Sequence, residues 1–271
     1  MKMALGSRIL LLATTAQALK PITRRALATA PAALALPAKA TFVERRGSPE
    51  FIERELRLPT LKRTMTLTQA FGAARGAAKD APDAGDRTGT YGWPGGDSLA
   101  YYLARHPEIV KKKRILELGC GTGAVGIVCS WLGATKVLLT DGSPIVLETT
   151  SRNLKANRAS RASLQRLRWG YDEDLTKAQP GSWDLVVAAE VAYQRETLPA
   201  FLATVSSLLK EDGLALVVMT PELADNGRGL EGVEKLMRSR PDLELVEVAL
   251  GDDDDDESLG TARYTLKRRK T

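Results

Sequence analysis

Between residue 87 and the C-terminus, short apolar runs alternate with longer stretches in which apolar residues recur at helical spacing. Continuous apolar runs of this kind are typical of buried strands, and the longer periodic stretches are typical of amphipathic helices. Because the two patterns alternate along the chain, we predict a parallel sheet covered by helices on both faces. The predicted strands are 114–118, 136–140, 164–169, 183–189, 213–220, 243–250 and 262–268, and the predicted helices are 97–105, 124–132, 143–157, 198–210 and 229–239.

The last two predicted strands are separated by a segment too short to hold a crossover helix. Two strands joined in this way pair as an antiparallel hairpin. The predicted fold class is therefore α/β, with a doubly wound, Rossmann-like sheet of seven strands, mostly parallel and ending in a C-terminal antiparallel hairpin. We place the acidic run Asp252 to Glu257 in the hairpin loop as a solvated tip. We also expect Asp97 to cap the first helix.

Residues 1–40 carry the net positive charge of the chain. Of the 39 Lys and Arg residues, six lie in this segment, which has no Asp or Glu, and the remaining basic residues equal the 33 acidic ones in number. A basic start, an apolar stretch and the small-residue pattern Ala16-Gln17-Ala18 are typical of a signal peptide, and the basic, Ala- and Pro-rich stretch that follows resembles a transit peptide. We predict a cleaved, disordered targeting segment at 1–40, an N-terminal extension and linker at 41–86, and the main domain at 87–271. The expected destination is a plastid or a mitochondrion, with a cytoplasmic location as the alternative.

The composition argues against several classes of function. One histidine and two cysteines are too few for a zinc cluster, so we expect no metal and two free thiols. No apolar run reaches the roughly 20 residues that a membrane-spanning helix needs. Because the domain has no net positive charge, we do not expect a nucleic-acid substrate.

The turn Leu118-Gly119-Cys120-Gly121-Thr122-Gly123 joins a predicted strand to a predicted helix. Glycine lets a ligand approach the backbone closely, and the N–H groups at a helix start favour a negative charge. Proteins that bind NAD, FAD or S-adenosylmethionine (SAM) all use such turns. Three neighbours favour SAM: Glu117 precedes the turn, Asp141 ends the second strand, where a carboxylate can accept both ribose hydroxyls, and Trp169 ends the third strand, where an indole can pack on adenine.

The chain resembles the lysine methyltransferase-like family of seven-β-strand, class I SAM-dependent methyltransferases over residues 89–220. The resemblance rests on motifs that occur in the family's order: Trp93-Pro94-Gly95-Gly96, Ile115 to Ile127, Thr140 to Pro144, Leu167 to Gly170 and Asp184 to Tyr193. The first motif looks most like the branch that acts on the electron-transfer-flavoprotein β-subunit. Two later motifs look more like the branches directed at elongation factors and chaperones.

This resemblance implies a SAM site and a pair of catalytic residues. The cofactor-binding residues would be Trp93, Glu117, Gly119, Cys120, Gly121, Gly123, Asp141, Gly142, Trp169 and Ala189. The catalytic residues would be Glu190 and Tyr193, which match the family's Asp-x-x-Tyr motif after the fourth strand, with Glu in place of the commoner Asp. Because Glu occurs there in some members, including one that acts on histidine, this departure leaves the methylated side chain open.

The substrate that the resemblance implies is a lysine-bearing protein. We expect Glu190 to orient the amine, Tyr193 to form a wall and a hydrogen-bond partner, and water to accept the proton. The alternatives are a small-molecule or protein-histidine methyltransferase on the same fold and a non-catalytic SAM-binding interaction module. A dinucleotide-binding oxidoreductase is a further alternative, against which the C-terminal hairpin and the Glu190-x-x-Tyr193 spacing both argue.

Overall fold

The computed structural model describes residues 40–42, 51–70, 87–191, 193–227, 229–250 and 260–269, which belong to the unit Ala38–Thr271. In chain order the strands are β1 (Ala40–Phe42), β2 (Phe51–Leu58), β3 (Arg63–Ala70), β4 (Arg114–Leu118), β5 (Lys136–Asp141), β6 (Ala162–Arg166), β7 (Trp183–Ala189), β8 (Leu209–Met219), β9 (Leu243–Leu250) and β10 (Ala262–Arg268). The helices are α1 (Pro94–Arg105), α2 (Ala124–Trp131), α3 (Pro144–Ala156), α4 (Asp172–Lys177), α5 (Leu198–Leu208) and α6 (Glu231–Ser239).

Seven strands form the central sheet, in the order β6-β5-β4-β7-β8-β10-β9. The pairs from β6 to β8 are parallel, whereas β10 runs antiparallel to both β8 and β9. The predicted seven-stranded, mostly parallel sheet with a C-terminal antiparallel hairpin is therefore confirmed. The largest differences in strand boundaries are that β6 ends at Arg166 and not at Trp169, and that β8 begins at Leu209, inside a predicted helix. The short helix α4 was not predicted.

Both faces of the sheet are covered at its centre, where β4, β5, β7 and the second half of β8 are mostly apolar. Ile115 and Val187 point to a core that contains α1, α2 and part of α3. Leu116 and Val186 point to a second core, formed with α5 and α6. Successive strand residues thus alternate between two buried faces, as a doubly wound sheet requires.

Strands β2 and β3 form a hairpin that the sequence analysis missed. Leu56 and Leu58 of β2 and Met65 and Leu67 of β3 are at most 2% exposed and belong to the same core as α1 and α2. From the sequence this segment was predicted to be an extension before residue 87, since it mixes charged residues with only weak periodicity. In the structure the charged Arg54 occupies an inward-facing, buried position of β2, which interrupts the apolar alternation. The structure instead makes the hairpin part of the domain's core.

Two asparagines of the α3 segment bind the free edge of β3. The Asn153 side chain accepts a hydrogen bond from Thr68 N at 2.8 Å and donates one to Thr68 O at 3.0 Å. Asn157 repeats the pattern with Thr66, at 3.0 Å and 2.7 Å. Each side-chain amide thus replaces the backbone of a neighbouring strand, and the hairpin is held against α3.

The start of α1 differs from the prediction. The helix begins at Pro94, with Trp93 as its N-cap, because proline is well suited to the first helical position. Asp97 therefore lies inside the first turn and caps nothing. Its side chain is buried and instead binds Arg54 of β2.

Several expectations concern residues outside the described ranges. The predicted targeting segment up to residue 39, the linker residues 71–86 and the acidic run 252–257 are among them. No helix in the described ranges is long and apolar enough to cross a membrane. Nor do three or more His, Cys, Asp or Glu side chains of these ranges come together as they would around a metal ion. Cys120 and Cys129 are both buried free thiols.

Candidate active site

A cavity of about 1060 Å³ lies at the carboxyl ends of the parallel strands. Ligands of doubly wound sheets bind at this edge, where the loops after neighbouring strands meet. Its volume is at or above the roughly 300–1,000 Å³ of most small-molecule sites. The predicted site residues that line it are Trp93, Glu117, Gly119, Cys120, Gly121, Asp141, Gly142, Trp169, Ala189, Glu190 and Tyr193.

Two glycines of the turn after β4 leave room for a ligand to approach the backbone closely. Gly119 has φ 67°, and a Cβ there would lie 2.6 Å from Val191 Cγ1. Gly121 has φ 52°, and a Cβ there would lie 3.2 Å from Gly89 O. A side chain at either position would strain the backbone and collide with the loops that close the cavity.

Gly123 differs from the other two glycines because it does not line the cavity. It is the N-cap of α2, with φ 84°. A Cβ there would lie 2.7 Å from Thr150 Cγ2 of α3. Gly123 therefore allows α2 to pack closely against α3 and does not contribute to the lining of the cavity.

Side chains of β5 and α3 bind the carbonyls of the turn. Thr140 Oγ1 donates to Glu117 O at 2.7 Å, and Thr150 Oγ1 donates to Gly121 O at 2.6 Å. Asn153 Nδ2 donates to Thr122 O at 2.9 Å. With these carbonyls bound on one side, the backbone of the turn is fixed before any ligand binds.

Asp141 ends β5 and lies beside this turn. Its Oδ1 accepts a hydrogen bond from Ser143 N at 3.0 Å, and its Oδ2 accepts a long one from Gly121 N at 3.4 Å. The carboxylate is therefore oriented by backbone donors on both oxygens while it borders the cavity. Such a group can accept hydrogen bonds from two neighbouring hydroxyls of a sugar.

Glu117 is a buried carboxyl between β4 and α2. Burial, with a smaller contribution from the charge of Asp141, raises the pKa of Glu117 to about 8, and a hydrogen bond from the Gly126 backbone opposes this rise. Within the described part of the chain its Oε2 has no hydrogen-bond partner. Burial thus favours the neutral form of Glu117.

Trp169 is the third residue after β6 and borders the cavity close to the glycine turn. Its ring packs edge-on against Phe201 of α5, with centroids 5.2 Å apart. Its Cζ2 is 3.7 Å from the position that a Cβ of Gly119 would take. The preceding residue, Arg168, donates from its backbone N and its Nε to Asp174 at 3.0 and 2.8 Å, and this pairing lowers the pKa of Asp174 to about 2. These bonds to α4 turn the backbone away from the β6 direction at Arg168, and β6 therefore ends before Trp169.

Glu190 lies directly after β7, with the left-handed φ of 54°. Its Oε1 accepts hydrogen bonds from Gly95 N at 3.0 Å and from the Thr220 hydroxyl, and its Oε2 accepts one from Thr220 N at 3.1 Å. A Cβ on Gly95 would lie 2.6 Å from Oε1, so a side chain there would displace the Glu190 carboxylate. Burial raises the pKa of Glu190, and the hydrogen bonds from Thr220 and Gly95 act in the opposite direction. A strained, non-glycine residue held by three donors is typical of functional sites.

The turn before α1 contributes residues that the sequence analysis missed. Thr88, Gly89, Tyr91 and Gly92 line the cavity. The Trp93 indole N–H donates to Thr88 O at 3.0 Å, and the rings of Tyr91 and Trp93 meet edge to face at 5.8 Å. No periodic pattern marks this turn.

Other residues missed by the sequence analysis follow β7 and β8. They are Val191, Glu222 and Leu223. The rule that loops after parallel strands meet at one edge would have identified them, because each comes shortly after a predicted strand.

The two cysteines and the single histidine show no sign of nucleophilic chemistry. Burial is the main cause that raises the pKa of Cys120 and of Cys129, which disfavours the reactive thiolate. His106 ends α1, where its Nδ1 lies 3.2 Å from Glu108 Oε1. The chemistry of the cavity therefore depends on carboxylates, aromatic rings and backbone N–H groups.

The family model described as lysine methyltransferase matches residues 81–226, which contain the glycine turn, Asp141, Trp169 and Glu190. The chain belongs to the lysine methyltransferase family. SAM is accordingly the methyl donor, and the residues present fit it: the glycines leave room for a ligand at the backbone, and Asp141 presents an oriented carboxylate. The predicted family, fold and cofactor are confirmed.

Curated relatives agree with this assignment. The chain is 31% identical to the EEF1A lysine methyltransferase 3 of Mus musculus, over 74% of this chain and 78% of the relative. It is 35% identical to the protein N-lysine methyltransferase METTL21A of Danio rerio, over 46% of this chain and 57% of the relative. It is 27% identical to the electron transfer flavoprotein beta subunit lysine methyltransferase of Xenopus laevis, over 64% and 65% of the two chains. With the last two, the match spans less than two thirds of the relative's length.

Solved structures show the same fold. A putative SAM-dependent methyltransferase from Streptococcus mutans superposes with a TM-score of 0.51 at 13% identity, over 83% of this chain and 57% of that one. The methyltransferase domain of bacterial CtHen1-C superposes with a TM-score of 0.51 at 16% identity, over 66% of this chain and all of the other. At these identities the likeness concerns the class I methyltransferase fold alone.

Proposed function

We propose that this methyltransferase transfers a methyl group from SAM to the side-chain Nζ of a lysine in a protein substrate, with Glu190 orienting the amine. The observation that carries the proposal is the position of the Glu190 carboxylate, which is fixed by α1 and β8 and borders the same cavity as the glycine turn. The lysine methyltransferases of mouse, zebrafish and frog support the choice of acceptor.

The cofactor end of the cavity would hold SAM through separate contacts. Asp141 would accept hydrogen bonds from the ribose hydroxyls, and Trp169 would pack on the adenine. The N–H groups at the start of α2 would face the methionyl carboxylate. Further contacts would come from residues that border the cavity nearby: Trp93, Glu117, Gly119, Cys120, Gly121, Gly142 and Ala189.

At the other end, the hydrogen bonds of Glu190 limit what it can do. A carboxylate has about four acceptor positions, and the backbone and hydroxyl donors described above occupy three of them. One position, on Oε2, is left for a substrate N–H. Glu190 is thus suited to orienting an amine and poorly suited to accepting its proton, and Tyr193 would form the neighbouring wall.

Proton loss from the lysine is the demanding part of the reaction. When bound, SAM supplies a methyl group activated by a sulfonium. A free lysine amine has a pKa near 10.4, so well under about 1% is neutral at pH 7. A carboxylate favours the ammonium, whereas desolvation beside Tyr193 favours the neutral amine. The proton would leave Nζ for water, a new N–C bond would replace the S–C bond, and S-adenosylhomocysteine (SAH) would be the product.

The test is a methyl-transfer assay with SAM that carries a labelled methyl group, using the full chain and an extract of its source cells. We expect label on lysine in one or a few proteins, identified by mass spectrometry. Glu190→Ala should reduce the labelling rate by about 10- to 100-fold, since an interaction with a charged group contributes roughly 1.5–3 kcal/mol. SAH affinity, measured by calorimetry, should stay within about twofold.

The control is Glu196→Gln, which removes an exposed carboxylate just before α5. This variant should label its substrate at the same rate as the native chain. Label on histidine or on a small molecule would contradict a lysine acceptor. SAH binding without any transfer would indicate a non-catalytic interaction module. Full turnover of Glu190→Ala would contradict the orienting role.

We also infer that residues 1–40 direct the protein to an organelle, on the charge and cleavage pattern of the sequence alone. A fluorescent reporter fused after residue 60 should enter a plastid or a mitochondrion and lose its N-terminal segment. A reporter that stays full-length in the cytosol would contradict this.

A further inference from the structure

The backbone of Gly92, in the turn before α1, is in contact with the β2–β3 hairpin. Gln69 Oε1 of β3 accepts a hydrogen bond from Gly92 N at 3.1 Å. A Cβ on Gly92 would lie 2.6 Å from Nη2 of Arg54. Gln69 and Arg54 are only 3% and 5% exposed, so the hairpin places two buried polar side chains against one glycine.

The same arginine binds the first turn of α1. Arg54 Nη2 donates to Asp97 Oδ1 at 2.8 Å, and Arg54 Nη1 donates to the other oxygen of that carboxylate. Both side chains are 7% exposed. A buried pair adds little stability over well-packed apolar residues, but its two parallel bonds fix orientation.

The turn that these bonds hold also carries the Gly95 N–H. Gly95 lies two residues before Asp97, and its N–H donates a hydrogen bond to Glu190 Oε1. A contiguous set of bonds therefore runs from the hairpin through the start of α1 to the carboxylate after β7. The hairpin lies outside the 81–226 segment that the family model matches.

We propose that Arg54 and Gln69 are positioning residues for Glu190, because they hold the Gly92–Asp97 turn where the Gly95 N–H meets the carboxylate. The inference rests on the proposed role of Glu190 in orienting the substrate amine. Its consequence is that the strands before residue 71 control the geometry of a carboxylate more than a hundred residues later in the chain.

The inference is tested by the protonation of Glu190 itself, which needs no substrate. In the full chain labelled with ¹³C, the Glu190 carboxyl signal is assigned with Glu190→Gln and titrated by NMR. Glu222, after β8, is a charged group that raises the pKa of Glu190, and Tyr193 and Asp97, the latter paired with Arg54, border the same cavity. A lost N–H donor destabilises the ionised form. We therefore expect Gln69→Leu to move the Glu190 titration midpoint upward.

Arg54→Met alone would leave Asp97 charged and buried, so the second variant is Arg54→Met with Asp97→Leu, which removes both charges. It should also raise the Glu190 midpoint. The matched control is Asn157→Leu, which removes an amide bound to the same strand, β3, at Thr66. It should lower stability without moving the midpoint.

An unchanged Glu190 midpoint in Gln69→Leu and in the double variant, with both folded, would overturn the inference. So would an equal shift in Asn157→Leu, because it would reflect a general loosening of the hairpin. Failure to methylate lysine would contradict the proposed function but leave this titration readable. The two ideas can therefore fail separately.

Discussion

The two ends of the cavity are built in different ways. At the cofactor end, the glycine turn is one continuous segment whose carbonyls are bound by side chains of β5 and α3. At the proposed amine end, the Glu190 carboxylate joins three positions that are distant in sequence: the residue after β7, the start of α1 and the residue after β8. The first end is thus one continuous segment supported by the next strand and helix along the chain, whereas the second joins segments up to 125 residues apart, Gly95 and Thr220.

This difference has a consequence for specificity. A cofactor shared by a whole family would be bound at a single continuous turn of the chain. The proposed acceptor-binding carboxylate, Glu190, has a position that depends on contacts between distant parts of the chain. Changes far from the cavity can therefore alter the amine end while they leave the cofactor end intact.

The largest expected effect is that of Gly119→Ala at the cofactor end. Alanine in a left-handed conformation costs roughly 1–2 kcal/mol, and its Cβ would also displace Val191. We expect SAH affinity, measured by calorimetry, to fall more than about tenfold. The control Gly133→Ala has φ 85° but nothing within 4 Å of its Cβ, so it should lose similar stability and keep its affinity. Equal SAH affinity in the two variants would remove the distinction between the ends.

Gly95→Ala is the matching change at the amine end. The new Cβ would lie 2.6 Å from Glu190 Oε1, and one of the three donors to the carboxylate would move. We expect labelled-methyl turnover to fall by about tenfold, the effect of losing roughly 1.4 kcal/mol, with SAH affinity retained. Gly96→Ala, whose Cβ meets nothing within 4 Å, is the neighbouring control and should be active. A parallel loss of SAH affinity in Gly95→Ala would mean that the two ends are coupled.

The smallest expected effect concerns stability and not activity. The folded-state pKa of Glu117 is about 8, raised above its ordinary value of 4.5. The folded state thus binds more protons between these values, and its stability decreases as pH rises through that window, by at most roughly 1.4 kcal/mol per pH unit. Glu117→Gln removes this dependence. Urea unfolding at pH 5 to 8 should show that the free energy of unfolding of Glu117→Gln, relative to that of the native chain, increases with pH. If the two free energies changed in parallel with pH, the raised pKa of Glu117 would be contradicted.

The sequence predicted the sheet well because its central strands, β4, β5, β7 and the second half of β8, contain continuous apolar runs, which are typical of strands buried on both faces. For a related reason it brought Gly119, Asp141 and Glu190 to one cavity: each lies at or just after the end of a predicted strand. It failed for β2, where the buried Arg54 breaks the alternation and its partner lies more than forty residues away. It also failed for Asp97, whose sequence context fits a cap although Pro94 begins the helix earlier. Pairings of this kind depend on tertiary structure and leave no local pattern.

The asparagines that bind β3 have one further consequence. An open strand edge is a template on which a second chain can add by hydrogen bonding, and this is a common route to aggregation. Asn153 and Asn157 occupy the outward-facing amide and carbonyl groups of Thr66 and Thr68, so an incoming strand finds these groups already satisfied. The same two side chains that hold the hairpin to the domain therefore also protect this edge against self-association.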